Sequence, residues 1–161
     1  MAGGPIFPHS AYPVTAGRVW PGFHIGGGAN SKHDEGLQVE ATVGADATWR
    51  LRFQIPPVLP EGTCKLRLLA LANAATGDAK VNPKWASVAA GESPSGAALQ
   101  AEGTQTLAWA AGDADKYKEL KVTLDADTPV AGEEVVMDLV FETTSWTLAQ
   151  ISTWIPAIIW E

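Results

Sequence analysis

The sequence predicts an all-β fold, an eight-stranded antiparallel jelly-roll β-sandwich with an extended N-terminal arm. Three observations point there. From Gly36 onward apolar residues recur at every second position, the period of a half-buried strand. The 11 prolines and 16 glycines punctuate the chain at intervals that suit turns. No segment carries a sustained 3.6-residue apolar stripe, and residues 114–120, the best helical candidate, do not either.

Residues 1–35 read as the arm and residues 36–161 as the sandwich domain. Pro5, Pro8, Pro13 and Pro21 hold the arm extended and remove backbone donors, and Gly26, Gly27 and Gly28 follow as a hinge. The arm is nevertheless apolar, with Ile6, Phe7, Tyr12, Val14, Val19, Trp20, Phe23 and Ile25 spaced along it. Such a segment needs a surface to lie on. That surface is either its own domain or a neighbouring subunit, and both readings stay open.

The strands follow in order. Leu37, Val39, Ala41 and Val43 alternate with polar residues, and Trp49, Leu51, Phe53 and Ile55 do so most cleanly before Pro56-Pro57 ends the ladder. After a turn at Pro60-Glu61-Gly62, Cys64, Leu66, Leu68 and Ala70 face one way. Val81, Trp85 and Val88 form the next strand, where Pro83 predicts an edge position. A small-residue loop at 89–103 leads to a strand at 104–109, then to Leu120, Val122 and Leu124, then to Val135, Met137, Leu139 and Phe141. The last strand, residues 154–160, is apolar on both faces, so both faces must be covered, by the fold or by a subunit interface.

Charge and composition exclude several functions. The formal net charge is −7 and no run of Lys or Arg occurs, so phosphate neutralisation and direct nucleic-acid binding are not expected. Cys64 is the single cysteine, so no intrachain disulfide can form. MAGGPIFPHSAYP lacks the basic start and apolar run of a signal peptide, and no segment approaches the roughly 18 apolar residues of a membrane span. A soluble protein made in a cytoplasm, without membrane association, is the expectation.

Motifs for catalysis or cofactors are near misses. His24 and His33 flank the glycine run with Asp34-Glu35 beside them, but the spacing fits no zinc pattern. Gly26 to Lys32 fails as a phosphate loop, because Ser31 precedes the lysine and His33 replaces the hydroxyl that would hold magnesium. Gly91-Glu92-Ser93-Pro94-Ser95-Gly96 fails as a nucleophile elbow, because Pro94 removes an oxyanion-hole donor. The Asp113/Asp115 and Asp125/Asp127 turns do not match the EF-hand pattern. No enzyme, cofactor or metal site is therefore expected.

The seven tryptophans admit two readings. On a β-sandwich, exposed tryptophans can stack on sugar rings, which makes a carbohydrate-binding module a rival. Trp49, Trp85, Trp109, Trp154 and Trp160 lie in predicted strands and read as core or subunit interface. Trp146, within Thr143-Thr144-Ser145-Trp146-Thr147, reads as exposed, and Trp20 as an anchor for a partner's pocket.

The segments LPEGTCKLRLLALANAATGDAKVNPKWASVA and TLAQISTWIPAIIWE resemble a group of small tailed-phage jelly-roll virion proteins, of the capsid decoration (cement) and head-fibre type. The resemblance covers residues 36–161. It implies a structural virion protein, a homotrimer on the outer capsid surface that clamps the major capsid protein and stabilises its lattice. A tail-fibre, baseplate or host-glycan-binding sandwich is the alternative. The expected capsid or subunit contacts are Ile6, Phe7, Tyr12, Trp20 and Phe23 on the arm, with Trp154, Ile158 and Trp160 on the last strand.

Overall fold

The computed structural model describes residues 3–14, 37–40, 46–72, 76–148 and 150–161. They form ten strands: β1 (Ser10–Pro13), β2 (Leu37–Glu40), β3 (Ala47–Gln54), β4 (Cys64–Leu71), β5 (Gly77–Val88), β6 (Gln100–Ala101), β7 (Gln105–Trp109), β8 (Tyr117–Thr123), β9 (Glu134–Phe141) and β10 (Gln150–Trp160). Two single 3-10 turns, Pro94–Gly96 and Thr143–Ser145, are the only helical elements among the described residues.

Pairing defines the topology. β2 pairs with β10, β3 with β9, β4 with β8 and β5 with β7, all antiparallel, so two runs of four strands lie against each other as one nested hairpin. Rolling that hairpin adds the β10–β4 and β5–β9 pairs and divides it into two sheets. One sheet runs β2-β10-β4-β8; the other runs β1-β3-β9-β5, with β6 and β7 sharing the far edge of β5. This is the jelly roll that period two predicts. The eight predicted strands are present, and β1 and β6 are additions.

The inner faces close over one core. Trp49, Leu51 and Phe53 of β3, Met137, Leu139 and Phe141 of β9, and Val81 and Trp85 of β5 meet Leu66 and Leu68 of β4 and Trp154, Ile158 and Trp160 of β10. Intersheet burial of this kind stabilises by about 1.5–3 kcal/mol per large side chain, which is why the alternation is so regular.

Pro83 lies inside the sheet, and not at its edge as the sequence suggests. β5 has β9 on one side throughout, while its other side changes partner from β7 (Gly77 to Val81) to β6 (Lys84 and Trp85). Pro83 falls in the gap between them, and its carbonyl accepts from Glu102 N–H at 2.9 Å. The N and O of one residue point to the same side of an antiparallel strand, so the missing donor faces a place without a ladder. Pro156 repeats the arrangement in β10, between the β2 pairing that ends at Trp154 and the Ile158 bridge to Ile6.

The N-terminal residues lie on this same sandwich. Ile6 exchanges two backbone hydrogen bonds with Ile158, 2.8 and 2.9 Å, on one sheet. Ser10 to Pro13 then pair with Trp49 to Arg52 on the other sheet. Residues 3–14 thus span one open side of the sandwich. Residues 15–36, with Trp20, Phe23 and the glycine run, lie outside the described residues.

Candidate ligand-binding face

The outer face of the β1-β3-β9-β5 sheet carries the densest set of organised polar groups. Alternation places Ser10 and Tyr12 of β1, Arg50 and Arg52 of β3, Glu134 and Asp138 of β9, and Asn82 and Lys84 of β5 on it. Tyr12, Arg50, Asp138 and Lys84 stand in one register row across four strands, a width of roughly 14 Å at the usual strand spacing.

Two arginines are clamped flat on this surface. Arg50 donates from Nε and Nη2 to the two oxygens of Asp138 at 2.7 and 2.8 Å. Arg52 donates from Nε and Nη2 to Glu134, its diagonal neighbour, the second bond measuring 2.7 Å. The fork geometry makes these bonds directional and leaves each Nη1 edge outside its ion pair. Arg50 and Asp138 are largely covered, with side-chain exposures of 18 and 14 %. The Asp138 carboxylate raises the Arg50 pKa, burial offsets part of that rise, and Tyr12 adds a smaller one. The Arg52 guanidinium holds the Glu134 carboxyl below its usual range, and His9 Nε2, 3.3 Å from Glu134, adds to this. Beneath the long side chains Val136 is fully buried.

Tyr12 is the aromatic of the row and is 44 % exposed. At the other end of the arginine pairs, a cleft of about 280 Å³ opens between Arg52, Glu134, Gln54 and the loop residues Ala90, Glu92 and Pro94. A larger cleft of about 500 Å³ lies on the far side of Glu92 and is lined by Ala86, Ser87, Ser93, Ala97 and Asp127. Glu92 Oε2 accepts from Ala89 N–H at 3.0 Å and closes the loop at its base. Tyr12, the two arginines and the clefts therefore form one continuous polar surface with an aromatic at its margin.

The groups singled out in the sequence are placed differently. Trp154, Ile158 and Trp160 are buried in the core of their own chain, so the last strand is not a free apolar surface. Its inward row fills the sandwich, and on its outward row Ala157 and Ile159 are buried too. Of the arm residues, Ile6 is half-buried against the core, while Phe7 and Tyr12 are exposed. Trp146 is buried at 9 % exposure, contrary to its polar surroundings in sequence. The Thr143–Ser145 turn folds it back, Nε1 donates to the Lys80 carbonyl at 2.8 Å, and the ring packs near Phe141 and Trp154 with centroid separations of 6.2 Å. In sequence Arg50 and Arg52 read as the solvated face of one strand; only the β9 register brings their carboxylates alongside.

Other candidates resolve into structure. Asp113 accepts from Lys118 and from Ala110 N–H, and Asp127 accepts from Ser87 and Thr128 N–H. No group of three metal-ligating side chains occurs among the described residues. Ser93 and Ser95 share a 2.9 Å hydrogen bond in the elbow-like loop. No helix among the described residues is long and apolar enough to cross a membrane.

Comparison with known proteins places the fold. No protein-family model matches the chain, and no curated protein sequence matches it. Among solved structures, the mannan-recognising carbohydrate-binding module TmCBM27 superimposes with a TM-score of 0.50 at 10 % identity, over 100 % of this chain and 97 % of that one. The arabinose-bound α-L-arabinofuranosidase MgGH51 superimposes with a TM-score of 0.51 at 10 % identity, over 98 % of this chain but 24 % of that one. The chain thus spans about a quarter of that enzyme and nearly all of the binding module. A family 11 carbohydrate-binding module from Clostridium thermocellum, bound to a mixed-linked tetrasaccharide, matches with a TM-score of 0.48 and 10 % identity, over 98 % of this chain and 96 % of that one. At such identities the likeness is one of fold, a two-sheet β-sandwich.

Proposed function

We propose that the protein is a non-enzymatic glycan-binding jelly-roll module that takes its ligand on the outer face of the β1-β3-β9-β5 sheet. The observation that carries this is the grouping of Tyr12 with the two carboxylate-clamped arginines on one sheet face. Sugar rings offer apolar faces for stacking and hydroxyls that pair with planar donors and acceptors. An exposed tyrosine beside fixed guanidinium forks matches both requirements. The likeness to a mannan-recognising module over its whole length supports this reading above capsid decoration. A glycan array with the intact chain, followed by calorimetry on each hit, tests it. Binding that weakens in Tyr12→Ala and Arg50→Ala is expected; an empty array overturns it.

Capsid decoration is the second reading, favoured by the sequence resemblance and by an exposed apolar tip. Val58, Leu59 and Val130 project from proline-bordered loops at one end of the sandwich, Val58 at 78 % exposure. In that role the tip, with Phe7, and not the buried last strand, would meet the major capsid protein. Light scattering and co-sedimentation with matching capsids check it: a trimer that sediments supports it, and a monomer that does not removes it.

A further inference from the structure

We infer that the sheet face selects uncharged glycans, and that Asp138 and Glu134 are the positioning residues that impose this selection by neutralising the arginines they hold. The inference rests on the glycan-binding reading and specifies its ligand class.

An arginine pair on a binding surface ordinarily attracts anions, and here both arginines are already engaged. Arg50 gives two of its three nitrogens to Asp138 and Arg52 gives two to Glu134, each in a bidentate pair. An incoming carboxylate or sulfate would have to displace an intramolecular carboxylate that is covalently positioned. What each guanidinium has beyond its ion pair is Nη1, a donor whose net field is cancelled at short range by the carboxylate, and Arg50 also has the Tyr12 hydroxyl as a hydrogen-bonding neighbour. Such a donor suits a hydroxyl oxygen.

The surroundings push in the same direction. Lys84 stands opposite Asp138 in register, and His9 lies against Glu134. Glu92 and Glu133 line the adjoining cleft together with Arg52 and Glu134. Arg50 and Lys84 are therefore met by Asp138, Arg52 by Glu134, and Glu92 and Glu133 add two further carboxylates to the cleft that Arg52 lines. The whole chain carries −7, so its long-range field also opposes an acidic polysaccharide.

Calorimetry on the intact chain tests this with a mannan oligosaccharide and β-1,4-galactotriose as neutral probes and oligogalacturonate as the acidic one, each at low and high sodium chloride. Neutral binding is expected to change by less than about twofold across the salt range, because no net charge is screened. Oligogalacturonate is expected to bind at least about tenfold more weakly than the better neutral probe. Asp138→Asn, which leaves the Arg50 charge uncompensated, is expected to gain oligogalacturonate binding that salt abolishes. Glu134→Gln should do the same through Arg52, so the test survives if either variant fails to fold. Tight, salt-sensitive oligogalacturonate binding by the unaltered chain overturns the inference while leaving glycan binding intact. Well-folded variants that gain no acidic-glycan binding overturn the role of the two carboxylates. Failure of every glycan to bind removes the parent reading and this inference with it.

Discussion

Arg50 shows how little of a side chain's role its own strand reveals. In sequence it alternates with Trp49 and Leu51 and reads as solvated; in the sheet it is a fixed fork against Asp138. Arg50→Lys keeps the charge but loses the planar fork, so glycan affinity measured by calorimetry should fall roughly tenfold with little change in melting temperature. Tyr12→Ala removes the stacking surface and should cost about 1 kcal/mol of binding. Glu102 is a polar residue with a structural role. Its Oε1 accepts from Trp85 Nε1 at 2.6 Å and from the N–H groups of Asp125 and Ala126 at 2.9 and 3.0 Å. Glu102→Ala leaves those donors without their acceptor and should lower stability by about 2–3 kcal/mol in urea unfolding. Glu134 sets an acid limit. Its folded pKa lies below the ordinary 4.5, so its contribution is complete above that value and is lost as pH falls through the depressed folded value. Between pH 6 and pH 3, roughly, Glu134→Gln should lose less stability than the unaltered chain.

At the scale of the element, strands with clean alternation are legible and short strands defined by their partners are not. The runs at Trp49, Cys64 and Val135 lie within β3, β4 and β9 with ends close to those expected, because burial on one face dictates their pattern. β1 ends in a proline and covers four residues, and β6 covers two; their existence depends on the edges of β3 and β5. Pro83 misleads for the same reason, since the gap that tolerates it is made by two other strands. Deleting residues 1–14 uncovers the edge of β3, and the truncated chain should self-associate in light scattering while the full chain does not. The turn into β4 has its own constraint. Gly62 has a φ of +110°, and a Cβ there would lie 2.8 Å from the Glu161 carbonyl carbon. Gly62→Ala is therefore expected to loosen the Thr63–Glu161 backbone pair, visible as faster amide exchange at those two positions.

The whole molecule is a fold of distant contacts. β2 pairs with β10 and β3 with β9, so the first sandwich strands find their partners only after most of the chain is present. Refolding in stopped-flow fluorescence should accordingly take about milliseconds to seconds. Cys64 offers an independent probe of that global event. It is buried in the core, and burial, with a smaller contribution from Glu102, pushes its thiol pKa up to about 12. At pH 8 a thiol reagent should therefore label it only at the rate of opening, and the rate should rise with urea.

The sequence by itself determined the fold class, the inward rows of the main strands, the charge that disfavours nucleic acid, and the absence of recognised catalytic spacing, because each depends on local period or composition. The tertiary structure alone decided which arginine meets which carboxylate, that Trp146, Trp154 and Trp160 belong to the core, and that Arg50 and Arg52 on the outer face of β3 are each paired with a carboxylate of β9. Those are relations between strands tens of residues apart, and register, which no single strand encodes, sets them.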